Sequence, residues 1–209
     1  MKTHRKQRGQ AMVEFALLAT TVVILIFGIL DIGRYLSLQL RLSSAVREAG
    51  RLVITNGLLP KDGAEVDYDF IDNQVNLLVF ENVKKMVSPS GFDGVGTNVK
   101  GILYISYLKR NDNGNSNAPA DVEILVERVF SYGNWYNPDG TAGIKPSPMY
   151  AQGTKFKGTD SNRLIDPVAL NVGERTVLVE IFHPLTFTNI ARQLLKNTTW
   201  NKIHEYAVF

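Results

Sequence analysis

Cysteine is absent from the 209 residues, which excludes disulfide staples, thiolate metal sites and a cysteine nucleophile. The redox compartment stays open, because oxidising and reducing spaces both tolerate such a chain. Histidine is scarce, and His4, His183 and His204 are far apart along the sequence. Neither an HExxH nor a GxSxG pattern occurs, so no metal ligand, cofactor or catalytic residue is assigned and an enzyme is not expected. Acidic residues are missing from positions 1–9, which carry Lys2, Arg5, Lys6 and Arg8. The formal charge of +3 therefore sits on that leader, and the remainder is slightly negative. A nucleic-acid binder keeps its basic face on the folded part, so nucleic acid is not an expected partner.

Charge is also missing from residues 15–30, Phe-Ala-Leu-Leu-Ala-Thr-Thr-Val-Val-Ile-Leu-Ile-Phe-Gly-Ile-Leu. Counted from Gln10 to Leu30, the apolar stretch would be about 31 Å long as a helix, close to a bilayer core of about 30 Å. The basic leader places its own end in the cytoplasm and the rest of the chain across the inner membrane, in the periplasm or its equivalent. A secretory signal peptide would need a shorter apolar core and a small-x-small cleavage site, and Leu-Asp-Ile-Gly-Arg-Tyr follows instead. The segment is therefore expected to be retained, with the lipid bilayer as its first partner.

One carboxylate, Glu14, lies inside this stretch. Such a group is costly to keep ionised at the edge of a hydrocarbon span, and by default it marks a functional site. An amine is the natural partner: a cut after Gly9 would make Gln10 a new N-terminus, with Glu14 at the fifth position and Phe15 at the sixth. The other reading is an ordinary signal-anchor helix that happens to carry a Glu.

Helical periodicity continues past the apolar run. Tyr35, Leu38, Leu42, Ala45, Ala49 and Leu52 recur at alternating three- and four-residue spacings, widened by Leu36, Val46 and Val53. Arg34, Gln39, Arg41, Ser44, Arg47, Glu48 and Arg51 fill much of the remainder, the pattern of an amphipathic helix laid on a folded body. Asn56-Gly57, followed by Pro60, is a stop signal. One helix from about Gln10 to Thr55 would be nearly 70 Å long, with residues 10–31 soluble in lipid and residues 32–56 docked.

Residues 57–209 read as a single α+β body. Asp69 or Asp72 is placed to cap a second helix, with Ile71, Val75, Leu78, Val83 and Met86 on one face and Ser88-Pro89 closing it. Residues 102–108, 122–129 and 176–182 are rich in β-branched and aromatic side chains and read as strands. Lys109 to Asp121 forms a long hairpin loop, and Tyr206 to Phe209 an edge strand. Residues 131–171 carry Gly133, Pro138, Gly140, Gly143, Pro146, Pro148, Gly153 and Gly158 and read as an irregular excursion, the kind that is functional or mobile. Within it, Trp135-Tyr136 is either a sticky surface element or folds back onto the body. Residues 111–117 resemble a calcium loop, but Asp112, Gly114 and Ser116 miss the alternating ligand positions and no Glu follows at the required distance, so a solvated turn is expected.

Gly9-Gln-Ala-Met-Val-Glu-Phe-Ala-Leu-Leu, Phe27-Gly-Ile-Leu-Asp-Ile-Gly-Arg-Tyr and Ala45-Val-Arg-Glu-Ala-Gly-Arg51 together resemble the TadE-like family. These are minor pilins, or pseudopilins, of the tight-adherence (Tad, Flp) branch of type IV pilus systems. The resemblance covers residues 8–53 and weakens beyond. It implies a pilin-like fold, with a long N-terminal helix packed on an antiparallel sheet. It also implies removal of residues 1–9 by a prepilin peptidase cutting between Gly9 and Gln10. Glu14 then takes the family's glutamate role and Phe15 its following aromatic. Asp31, Gly33 and Arg34 fall on the family's acidic-x-Gly-Arg element after the span. Other pilin or pseudopilin subunits and an inner-membrane assembly platform are the implied partners. Many members carry a Pro a few residues after the Glu where this chain reads Ala19-Thr20-Thr21, which leaves a kink there open. The rival is a permanently anchored single-pass protein whose extracytoplasmic domain binds a ligand or scaffolds an envelope complex.

Overall fold

A computed structural model describes residues 4–56, 66–87, 101–111, 122–135, 144–157, 170, 173–184 and 202–209. Helix α1 runs unbroken over His4–Thr55. Among its membrane-length residues, the hydroxyls of Thr20 and Thr21 donate to the carbonyls of Ala16 and Leu17 at 2.8 and 3.0 Å. Both polar groups are thereby satisfied inside the helix, which removes the penalty of placing them in apolar surroundings. The helix stops where expected: Asn56 folds its side-chain amide back onto the Leu52 carbonyl, 2.6 Å away.

The second helical region departs from expectation at its start and in its buried face. Its cap is Asp67, whose carboxylate accepts from the backbone N–H groups of Asp69 and Phe70, not Asp69 or Asp72. Helix α2 (Tyr68–Phe70) passes into a π-helical stretch (Ile71–Asn76) and then into α3 (Leu77–Val87). Ile71, Val75, Val79, Val83 and Val87 are buried, a repeat of four, whereas Leu78 and Met86 are exposed. Over Ile71–Asn76, hydrogen bonding to the fifth residue widens the turn and keeps Ile71 and Val75 in line with the buried valines of α3. Leu36 of α1 was likewise expected in the docked stripe and is exposed instead.

Strands β1 (Gly101–Arg110), β2 (Glu123–Asn134), β3 (Lys155–Lys157), β4 (Arg175–Pro184) and β5 (Lys202–Val208) form one antiparallel sheet in the order β3-β2-β1-β4-β5. The three central strands are those read from the sequence. β5 starts four residues before its expected position, and β3 was not foreseen. A bulge after Tyr107 places Glu127 as an extra residue in β2, between Arg128 opposite Tyr107 and Val126 opposite Leu108.

Both faces of the sheet are covered. Leu103, Ile105, Tyr107, Val177, Val179, Ile181 and Ile203 pack against Leu42, Ala45, Val46, Ala49 and Val53 of α1 and the valines of α3. On the other face, Leu108, Ile124, Val126 and Leu178 lie under Phe156 and Tyr150, and Trp135 packs on Ile102, Tyr104 and Phe182. This second cover comes from the stretch expected to be an irregular excursion. Ser131 to Asn134 belong to β2, and residues 144–157 strap the sheet, held by the Tyr104 hydroxyl donating to the Pro146 carbonyl at 2.6 Å. Trp135 has therefore folded back onto the body; Tyr136 lies outside the described residues. So do residues 112–121, which include most of the calcium-like sequence, while Asn111 donates its N–H to Glu123 at 2.9 Å where the hairpin opens.

Candidate functional site

The residues singled out near the N-terminus lie on a bare helix. Gly9, Gln10, Glu14 and Phe15 are all exposed, and a Cβ added at Gly9 would meet nothing within 4 Å. Four residues apart on one helical face, Gln10 donates from its side-chain amide to Glu14 at 3.0 Å. In the uncut chain, then, a neutral amide occupies the carboxylate. A cut at Gly9–Gln10 would add an ammonium at the same end of the helix.

Asp31 belongs to a different environment. It is 7% exposed and partnered, while Gly33 and Arg34 next to it are exposed. At about 1.5 Å per residue, roughly 25 Å of helix separates Asp31 from Glu14, so the structure does not bring the two sets together. Asp31 marks the point where the bare half gives way to the half that meets the body.

Above that point the docking of α1 depends on one small residue. A Cβ at Gly50 would fall 1.8 Å from a ring carbon of Phe209. Phe209 is fixed there because its backbone pairs in both directions with Val177, at 3.0 and 3.1 Å, and its carbonyl also accepts from the Thr176 hydroxyl. Gly50 lies within the sequence that carries the family resemblance, but nothing in that sequence points to a residue 159 positions away.

Between the second helical region and the sheet runs a polar seam. Tyr68, Asp72 and Asn76 stand four residues apart and meet Glu127, Tyr132 and Tyr107 of the sheet. Tyr68 donates to Glu127 at 2.7 Å, Tyr107 to Asn76 at 2.8 Å, and Tyr132 to Asp72. Burial, then the nearby Glu127 and Asp72 carboxylates, hold the hydroxyls of Tyr68 and Tyr132 well above the usual tyrosine range; burial does the same for Tyr107. All three stay neutral donors. At Glu127 burial pushes the carboxyl up, but hydrogen bonds from Arg175 at 2.8 Å and from Tyr68, with the charges of Arg175 and Lys109, outweigh it and leave a net downward shift.

A carboxylate that is fully buried lies on the opposite face. Glu180, fully buried in β4, accepts from the Met149 N–H at 3.0 and 3.1 Å and contacts His204 Nε2 at 3.1 Å. His204 stacks on Phe182 with ring centroids 4.1 Å apart. The sequence signal for Glu180 is a lone acid inside an otherwise apolar run, Val177 to Phe182. Its role here is to pin the strap. Among the described residues no cluster of metal-ligating side chains is present.

A family model described as TadE-like protein matches residues 9–51, about a fifth of the chain. No curated protein and no solved structure matches the chain. The matched segment covers Gly9, the bare half of α1, Asp31-Ile-Gly-Arg34 and the docked half through Gly50. One described helix, within Gly9–Thr55, is long and apolar enough to cross a membrane. The match and this helix together support a membrane protein associated with a Tad pilus.

Proposed function

We propose that this chain is a minor pilin or pseudopilin subunit of a Tad (Flp) type IV pilus or a related secretion machine. On this reading a prepilin peptidase at the cytoplasmic face removes residues 1–9, and Gln10 becomes the N-terminus. The subunit waits in the inner membrane with its body in the periplasm, and an assembly platform then inserts it among other pilin subunits through α1. The carrying observation is the family match that begins at Gly9 and ends within the docked half of the same helix.

The physical rationale lies in the charge at the end of a bare helix. When helices of neighbouring subunits pack together, lipid and water are both displaced, and a lone ammonium or carboxylate is strongly disfavoured. Glu14 can neutralise the Gln10 ammonium of its own or a neighbouring subunit. Removing one partner strands the other, at a cost of about 3–5 kcal/mol for a fully desolvated pair. Phe15 and the apolar residues beyond it would supply the packing surface.

Mass spectrometry of the protein recovered from membranes tests the reading. The expected N-terminus is Gln10, and Gly9→Val should leave the leader attached. Glu14→Ala should insert but fail to co-purify with other pilin subunits, and Glu14→Asp should recover only part of the loss. Intact Met1 chains from cells with a working peptidase, or normal assembly of Glu14→Ala, would instead favour the permanently anchored reading. External protease on spheroplasts should digest the body under either reading, so it checks orientation alone.

A further inference from the structure

Gln10 carries two groups that can react with each other once the bond before it is cut. The α-amine of an N-terminal glutamine attacks its own side-chain Cδ: an N–Cδ bond forms, the Cδ–Nε2 bond breaks, and ammonia leaves with the proton that the amine gives up. The product is the neutral five-membered lactam, pyroglutamate, and no oxidant or second reactant is consumed. Closure would destroy the ammonium on which the proposed neutralisation depends. In the structure the Gln10 amide is held elsewhere. Side chains on a helix lean toward its N-terminus, so Glu14 reaches back over the preceding turn and meets Gln10 there. Gln10 Nε2 donates to Glu14 Oε1 at 3.0 Å. Both side chains are exposed, so this bond, and not packing, directs the amide.

We propose that Gln10 of the cut chain is a cyclisation site and that Glu14 is the positioning residue that keeps it open. This rests on the proposed cut after Gly9, since only that cut creates the amine. Two effects of the bond oppose closure. An amide engaged one turn along the helix must release Glu14 before Cδ can swing back to the α-nitrogen. A carboxylate accepting from the amide N–H also makes the carbonyl carbon more electron-rich and the nitrogen a poorer leaving group. The clamp does not compete with neutralisation, because a carboxylate has two oxygens and the amide takes Oε1, leaving Oε2 to accept from the ammonium. A closed ring would instead leave Glu14 without a cation, and a carboxylate stranded among packed helices is disfavoured. Glu14 thus preserves the charge that it goes on to pair with.

Closure is read directly by mass spectrometry, as an N-terminal peptide lighter by one ammonia. Full-length chains in detergent, with the recognition sequence of a site-specific protease inserted before Gln10, release that terminus at a chosen time. Glu14→Ala should close about tenfold faster than the wild type, the factor expected for losing one hydrogen bond to a charged acceptor. Alanine is the better helix former, so faster closure in that variant does not come from fraying. Glu14→Gln keeps an oxygen acceptor at the same reach and should close more slowly than Glu14→Ala. Equal rates in the wild type and Glu14→Ala, or Glu14→Gln closing as fast as Glu14→Ala, would overturn the proposal. So would pyroglutamate at the N-terminus of the cut wild-type chain recovered from membranes. Failure of the pilin reading looks different: chains from cells would keep residues 1–9, while the closure rates of the released terminus would still decide the role of Glu14.

Discussion

No residue of α1 between Gln10 and Leu30 is buried, whereas Leu42, Ala45, Val46, Ala49, Gly50 and Val53 all are. The two stretches belong to one uninterrupted helix, and the bare one is the more apolar. What separates them is periodicity. In residues 15–30 apolar side chains go all round the helix, which suits a surrounding of lipid or of other helices. In residues 35–53 they alternate with arginine, serine and glutamate, so a single line faces the sheet. Hydrophobicity by itself therefore does not mark the part of this helix that holds the fold; interruption by polar residues does.

Pairs of substitutions, one in each half, test that contrast. The largest effect is expected from Leu42→Ala, which leaves a cavity against the sheet and should cost about 2–5 kcal/mol of body stability. Leu25→Ala, in the bare half, should leave denaturant unfolding of the body in detergent unchanged. Equal losses from the two would mean that the bare half also packs on the body. Gly50→Ala comes next: a methyl group there overlaps the Phe209 ring, and overpacking of this kind costs about 1–3 kcal/mol. Gly28→Ala meets nothing within 4 Å and should be neutral or slightly stabilising to the helix.

A third pair compares carboxylates. Glu180→Ala removes the carboxylate that accepts from the Met149 N–H, a charge-assisted hydrogen bond worth about 1.5–3 kcal/mol, and should open residues 144–157 to limited proteolysis. Glu14→Ala should not change that proteolysis pattern. The smallest effect is one of pH. Because the folded-state pKa of Glu127 is shifted down, its contribution is present above the unfolded value of about 4.3 and is lost as pH falls through the folded value. Glu127→Gln should therefore flatten the acid limb of the stability curve, whereas Glu14→Gln should leave it in place. An acid limb unchanged in Glu127→Gln would remove Glu127 from that account.

Much of this organisation was legible in the chain. Residues 10–55 announce a two-part helix through the switch from unbroken to periodic hydrophobicity, and β1, β2 and β4 through dense β-branched runs. Less legible were features that depend on a partner distant in sequence. Leu36, Leu78 and Met86 fit the local helical spacing of a buried stripe. They are exposed because a neighbouring line of side chains, Ile71, Val75, Val79, Val83 and Val87 in the second helical region and Leu42, Ala45, Val46, Ala49 and Val53 in α1, faces the core instead. Residues 144–157, inside the stretch 131–171, read as part of an irregular excursion because turn residues mark a change of direction and not a destination.

Sequence alone determined the helix, its membrane-length half, the leader charge and the family match at residues 9–51, because each rests on local order along the chain. Three features were decided only in the tertiary structure. Gly50 receives Phe209, Glu180 captures the strap through Met149, and the β2 bulge turns Glu127 toward Tyr68 and Arg175. Each joins residues tens of positions apart, or more. The contacts exist only once sheet register has been set by burying both faces, a cooperative choice that no local pattern encodes.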